Sequence, residues 1–134
     1  MKLLTLAALS VALGFGQSND CDTLEKCKEA LKANPNSSLA LYRIGEMCFL
    51  QRNFMCAANS FSGSLEGDLK PEWTEVWAYV NLGKIFDATN QRQRALNEYR
   101  RAIRTLDNTR GALDEARQYI ENPYKEMPGP APHN

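Results

Sequence analysis

From Ser38 onward the apolar residues of this chain recur every three or four positions, the spacing of one face of an α-helix. Between Ser38 and Gln51 that face is Leu41, Ile44 and Cys48; Arg52 and Asn53 interrupt it; Ala57, Ala58, Phe61 and Leu65 resume it from Phe54 to Leu65. After EGDLKP (66–71), Pro71 suits a first helical turn, and Glu72 and Glu75 suit the positive end of a helix dipole. This helix is predicted to run to about Ala88, to turn at Thr89 and Asn90, and to meet a partner helix from about Arg92 to Leu106. LEKCKEALKANP (24–35) reads as one further helix, and 109–124 as another, with Leu113, Ala116 and Ile120 on one side of it. The expected fold is all-α, made of antiparallel helix pairs.

The pairs repeat. LALYRIGEMCF (39–49) aligns with WAYVNLGKIFD (77–87), so that Leu41 matches Tyr79, Ile44 matches Leu82, Gly45 matches Gly83 and Cys48 matches Phe86 at an offset of 38 residues. At the same offset Ala57 pairs with Ala95, Phe61 with Tyr99 and Ser64 with Ala102. A glycine within a helix costs about 1 kcal/mol relative to alanine. Close approach of two helices offsets it, with Gly83 expected opposite Ala95 and Gly45 opposite Ala57.

These residues resemble the tetratricopeptide repeat family, whose first helix carries an aromatic or leucine, then leucine and glycine, then an aromatic, and whose second carries alanine, aromatic and small residues. Tyr79, Leu82, Gly83, Phe86, Ala95, Tyr99 and Ala102 match nearly the full set. Cys48 departs from it by standing in the aromatic place, and the offset of 38 exceeds the family's 34, which implies a four-residue insertion in EGDLKP. The resemblance implies an α-solenoid of about two full repeats. Its expected parts are a half repeat (22–35), repeats at 38–67 and 71–107 and a capping helix (109–122), within a domain spanning 19–124.

In that family the first helix of each pair lines a concave surface that holds partner segments. Carried over through the glycines, the resemblance implies a partner face of Tyr42, Arg43, Glu46 and Phe49 from the first unit and Trp77, Asn81, Lys84 and Asp87 from the second, extended by Trp73; Leu39 falls on the same side. Gly45, Ala57, Phe61, Gly83, Phe86, Ala95, Tyr99 and Ala102 are the expected packing residues. The subfamily that grips the C-terminal carboxylate of cytosolic chaperones is not expected: Asn81 suits it, but Tyr42 and Glu46 stand where a lysine and an asparagine would be.

Composition narrows the function. The 134 residues carry 16 basic and 16 acidic side chains, so no global field favours nucleic acid or an anionic membrane. The one histidine, His133, lies in the tail KEMPGPAPHN (125–134), which is expected to be disordered. The helical region therefore has no histidine for general base, zinc ligand or nucleophile activation, and no glycine-rich phosphate loop. No enzyme activity, cofactor or metal is expected. The expected partner is a protein or peptide, with self-assembly into a homo-oligomer as the alternative.

Lys2 followed by LLTLAALSVALGFG, with Gly14 and Gly16 ahead of a polar stretch, has the layout of a secretory signal peptide over 1–18. The apolar run is shorter than the roughly 20 residues a transmembrane helix needs. The mature chain is expected to be exported, to the periplasm or beyond, where Cys21, Cys27, Cys48 and Cys56 could form disulfides in any of three connectivities. Folding the helices about their turns brings Cys21 level with Cys48, and Cys48 level with Cys56. Cys21 with Cys48 is the pairing favoured.

Overall fold

The computed structural model describes residues 20–126; the expected signal peptide and residues 127–134 of the expected tail lie outside them. The described chain is all-helical: α1 (Leu24–Ala33), α2 (Ser38–Leu50), α3 (Phe54–Leu65), α4 (Trp73–Ala88), α5 (Arg92–Arg104), a 3₁₀ turn (Thr109–Gly111) and α6 (Ala112–Glu121). Three helices begin on polar caps that satisfy otherwise unpaired amides. Thr23 accepts from the Lys26 amide, Ser37 from Ala40 and Asn53 from Cys56. Pro71 lies two residues ahead of α4, not within it, and its carbonyl accepts both the amide and the hydroxyl of Thr74 (2.9 and 2.8 Å).

Each helix packs on the next along the chain, and α4 also touches α2 and α6. Alternate helices α2, α4 and α6 thus share one side. The main core lies between the two hairpins α2–α3 and α4–α5, where Phe61, Val76, Val80 and Tyr99 are fully enclosed. A smaller cluster of Cys21, Cys27 and Ala40 fixes α1 to α2.

The repeat extends to backbone geometry that the residue types do not announce. Arg52 ends the first hairpin's turn with φ 59° and Asn90 ends the second with φ 59°. In each case the following amide reaches back five residues, Asn53 to the Cys48 carbonyl (2.9 Å) and Gln91 to the Phe86 carbonyl (2.7 Å). This is a left-handed helix stop built without glycine. The segment between the hairpins is not a free insertion. Asp68 and Leu69 bond back to the α1–α2 turn through the Asn36 carbonyl and Ser38, and a Cβ on Gly67 would meet the Asn36 carbonyl at 2.6 Å.

The glycines face aromatic rings, not the alanines expected opposite them. A Cβ on Gly45 would sit 2.8 Å from the Phe61 ring, and one on Gly83 would fall inside the Tyr99 ring's contact distance. Ala57 and Ala95 are fully buried one turn earlier on the partner helix, where their small size lets the ring lie against the glycine. The expected Cys21–Cys48 disulfide is replaced by Cys21–Cys27 and Cys48–Cys56. The cause is local: Thr23 starts α1 after Cys21, so the preceding segment folds back over the first turn and brings the Cys21 and Cys27 Cα atoms to 5.1 Å. Among the described residues, no helix is long and apolar enough to cross a membrane.

Gly83→Ala is expected to lower the melting temperature although alanine favours a helix, because overpacking costs about 1–3 kcal/mol. Gly63→Ala, whose Cβ would meet Leu41 at an ordinary 3.4 Å, is expected to raise it, with a gain in stability of up to about 1 kcal/mol; thermal melts of the two variants check the contrast. Mass mapping of a non-reduced digest is expected to recover Cys21 with Cys27 and Cys48 with Cys56, and no peptide joining Cys21 to Cys48.

Candidate functional site

Residues four and seven positions apart on a helix share a face. On α2 this brings Tyr42, Glu46 and Phe49 together, and on α4 Trp77, Asn81 and Lys84. The two rows line an open groove of about 600 Å³ with Leu50, Phe61 and Arg110. Six of the nine residues expected on the partner face therefore converge on one concavity.

Tyr42 forms its floor. It is only 4% exposed, its ring meets Phe61 and Trp73 edge-on, and its hydroxyl accepts a hydrogen bond from the Asn81 side-chain amide (3.1 Å). Burial pushes its ionisation well above the ordinary tyrosine range, so it is a neutral hydrogen-bonding group. Trp77 is half-buried and donates its indole N–H to the Thr109 carbonyl (3.0 Å), which fixes the approach to α6 against α4.

The cations differ in what they leave free. Arg43 spends its guanidinium within the molecule: two bonds to Asp20 (2.8 Å each) and one to Glu46 (2.7 Å). It also stacks over Trp73 at 5.4 Å. Arg110 stacks over the same ring at 5.1 Å and, among the described residues, makes no hydrogen bond. Lys84 hangs over the rings of Phe49 and Tyr124 (5.5 and 5.0 Å), with the nearest Glu115 oxygen 4.0 Å away. The groove thus presents aromatic surface and cationic donors, with Glu46 partly neutralised by Arg43.

Asp87 is not part of the open face. Its carboxylate is 1% exposed and accepts from Arg92 (3.0 Å), the Tyr99 hydroxyl (2.9 Å) and the Tyr124 amide (2.9 Å). Arg92 in turn bonds the Tyr119 and Ile120 carbonyls at the end of α6. Asp87 is a structural junction because α6 and the segment after it close over the end of α4. Arg110, Leu50 and Tyr124 join the site unforeseen. Arg110 reaches the groove through a left-handed backbone (φ 54°) just ahead of Gly111, and that glycine was the one local sign of a turn. Among the described residues, no group of three His, Cys, Asp or Glu side chains comes together as a metal site.

The Asp20–Arg43 pair carries a pH signature. The hydrogen bonds from Arg43 hold the Asp20 carboxyl below the usual carboxylate range. A depressed folded pKa adds stability above the unfolded value near pH 4, and that stability is lost as pH falls through the folded value. Because Asp20 is partly exposed, the contribution is below about 1 kcal/mol. Asp20→Asn is expected to melt slightly below the wild type at pH 7, with the gap closing as pH falls below the ordinary carboxylate range in parallel thermal scans. Compared with protein-family models, with curated proteins and with solved structures, this chain matches none.

Proposed function

We propose that this chain is a non-enzymatic, exported scaffold of tetratricopeptide-like helix pairs that holds a peptide or helix of a partner protein in the groove between α2 and α4. The observation that carries the reading is the groove itself: an open, aromatic and cationic concavity whose lining comes from equivalent helices of two repeating hairpins. Aromatic and arginine side chains supply most of the energy at protein interfaces. The repeating architecture is supported by the glycine-on-ring contacts and by hairpin turns repeated at the offset of 38 residues, Gly45 with Phe61 and Arg52 in the first unit, Gly83 with Tyr99 and Asn90 in the second. Two disulfides fit a chain that folds in an oxidising compartment.

A second reading, self-assembly within a cell-envelope complex, is favoured by Leu50 and Met55, which stand 82% and 79% exposed on either side of the α2–α3 turn. Peptide display against the full chain is expected to enrich a consensus whose binding falls at least tenfold in Trp77→Ala and in Arg110→Glu. No consensus, or binding indifferent to both substitutions, overturns the scaffold reading. Concentration-dependent dimers in sedimentation that are lost in Leu50→Asp would establish self-assembly instead.

A further inference from the structure

One end of the groove is closed, and the chain itself closes it. Beyond α6, residues 122–126 cross the end of α4 and reach the end of α2. The Tyr124 amide donates to Asp87 (2.9 Å). Its ring stands edge-on to Tyr119 (5.4 Å) and tilted against Phe49 (6.3 Å), with the Lys84 ammonium 5.0 Å from its centre. Two residues later Glu126 receives a hydrogen bond from Arg52 (2.8 Å). Burial alternates along this strap: Pro123 and Lys125 are exposed, Tyr124 and Glu126 half-buried. That is the period of an extended chain whose every second side chain faces a surface.

The strap is thus arranged as a bound peptide would be, and weakly. One backbone hydrogen bond, a partly exposed ring and an ion pair whose arginine side chain is 56% exposed tie it down. Exposed ion pairs contribute little, and segments with few buried contacts open at low cost. The end it covers has sharp chemical demands: aromatic walls with an ammonium above them for one side chain, an arginine for the next inward one, and a carboxylate for the amide between.

We propose that the end of the groove formed by Phe49, Lys84, Asp87 and Arg52 is a peptide subsite self-occupied by residues 122–126, and that the partner enters by displacing this strap with an extended segment carrying an aromatic residue and, two positions on, an acidic one. The proposal rests on the groove being the partner site and names the chemistry of what enters it. A tethered competitor acts at an effective concentration on the order of mM, so the strap sets a threshold that weak, non-specific peptides do not pass.

The probe is a labelled synthetic peptide of residues 121–126, titrated by fluorescence anisotropy into the full chain and into its Tyr124→Ala variant. The variant is expected to bind saturably and roughly tenfold or more tighter than the wild type. Peptides with the tyrosine changed to alanine, or the second glutamate to lysine, are expected to lose that binding. The proposal is overturned if the variant binds no better than the wild type, or if the altered peptides bind as well as the parent. Should Tyr124→Ala lose its helical circular dichroism, Glu126→Ala frees the same end from the exposed side and carries the same comparison. A wild-type dimer in sedimentation that disappears in Tyr124→Ala would assign the subsite to exchanged straps of two copies and overturn the partner. If the peptide fails while displayed peptides still depend on Trp77 and Arg110, this inference falls and the scaffold reading stands.

Discussion

The contact on which the rest of the structure depends is a ring laid against a bare backbone: Phe61 on Gly45 and Tyr99 on Gly83. An aromatic ring is among the largest apolar surfaces a side chain can bury, and the absence of a Cβ lets it reach the opposing helix axis. Each hairpin is thereby pulled to a fixed separation. Once both hairpins have that separation, their first helices lie side by side and the positions at 42, 46, 49 and 77, 81, 84 meet across one groove. The spacing of the site is a consequence of the core, set by ring-on-glycine contacts of which only Phe61 also reaches the groove.

The second governing element is the ion and hydrogen-bond junction at Asp87. Four elements meet there: α4 supplies the carboxylate, α5 supplies Arg92 and Tyr99, α6 is held by its last carbonyls, and the strap by one amide. A buried carboxylate is tolerable when its partners are complete, and this one has them. The junction explains why the groove is covered at its Lys84 end. It also explains why α6 is held by polar anchoring as well as by Ala112, Leu113 and Ala116.

The helices, their turns and the repeat of glycine and ring were legible because they are written in local period: apolar residues every third or fourth position, a polar break, and a glycine and a ring recurring at one offset. That each ring lies on its glycine was not, since an alanine was expected there. The fit of Tyr42, Glu46, Phe49, Trp77, Asn81 and Lys84 to one groove followed from the same period. What escaped was set by chain that folds back. Asp87 has helical spacing suited to the open face, and only the return of residues 119–124 buries it. Cys21 could be extrapolated along α1 until Thr23 ended the helix, although a threonine in front of a helical run was a readable cap. Arg110 depends on a left-handed backbone that its residue type does not favour.

The positions of the two disulfides divide the molecule unevenly. Both lie before residue 57, one bracing α1 and the other clamping the tip of the first hairpin, while the second hairpin and α6 are joined by charge and hydrogen bonds around Asp87. The halves are thus fastened by different chemistries. A thiol-rich environment would remove both covalent braces of the first half and leave the fastening of the second, which has none, as it is. The groove takes one wall from each half, so the redox state of its surroundings bears on one wall and not on the other.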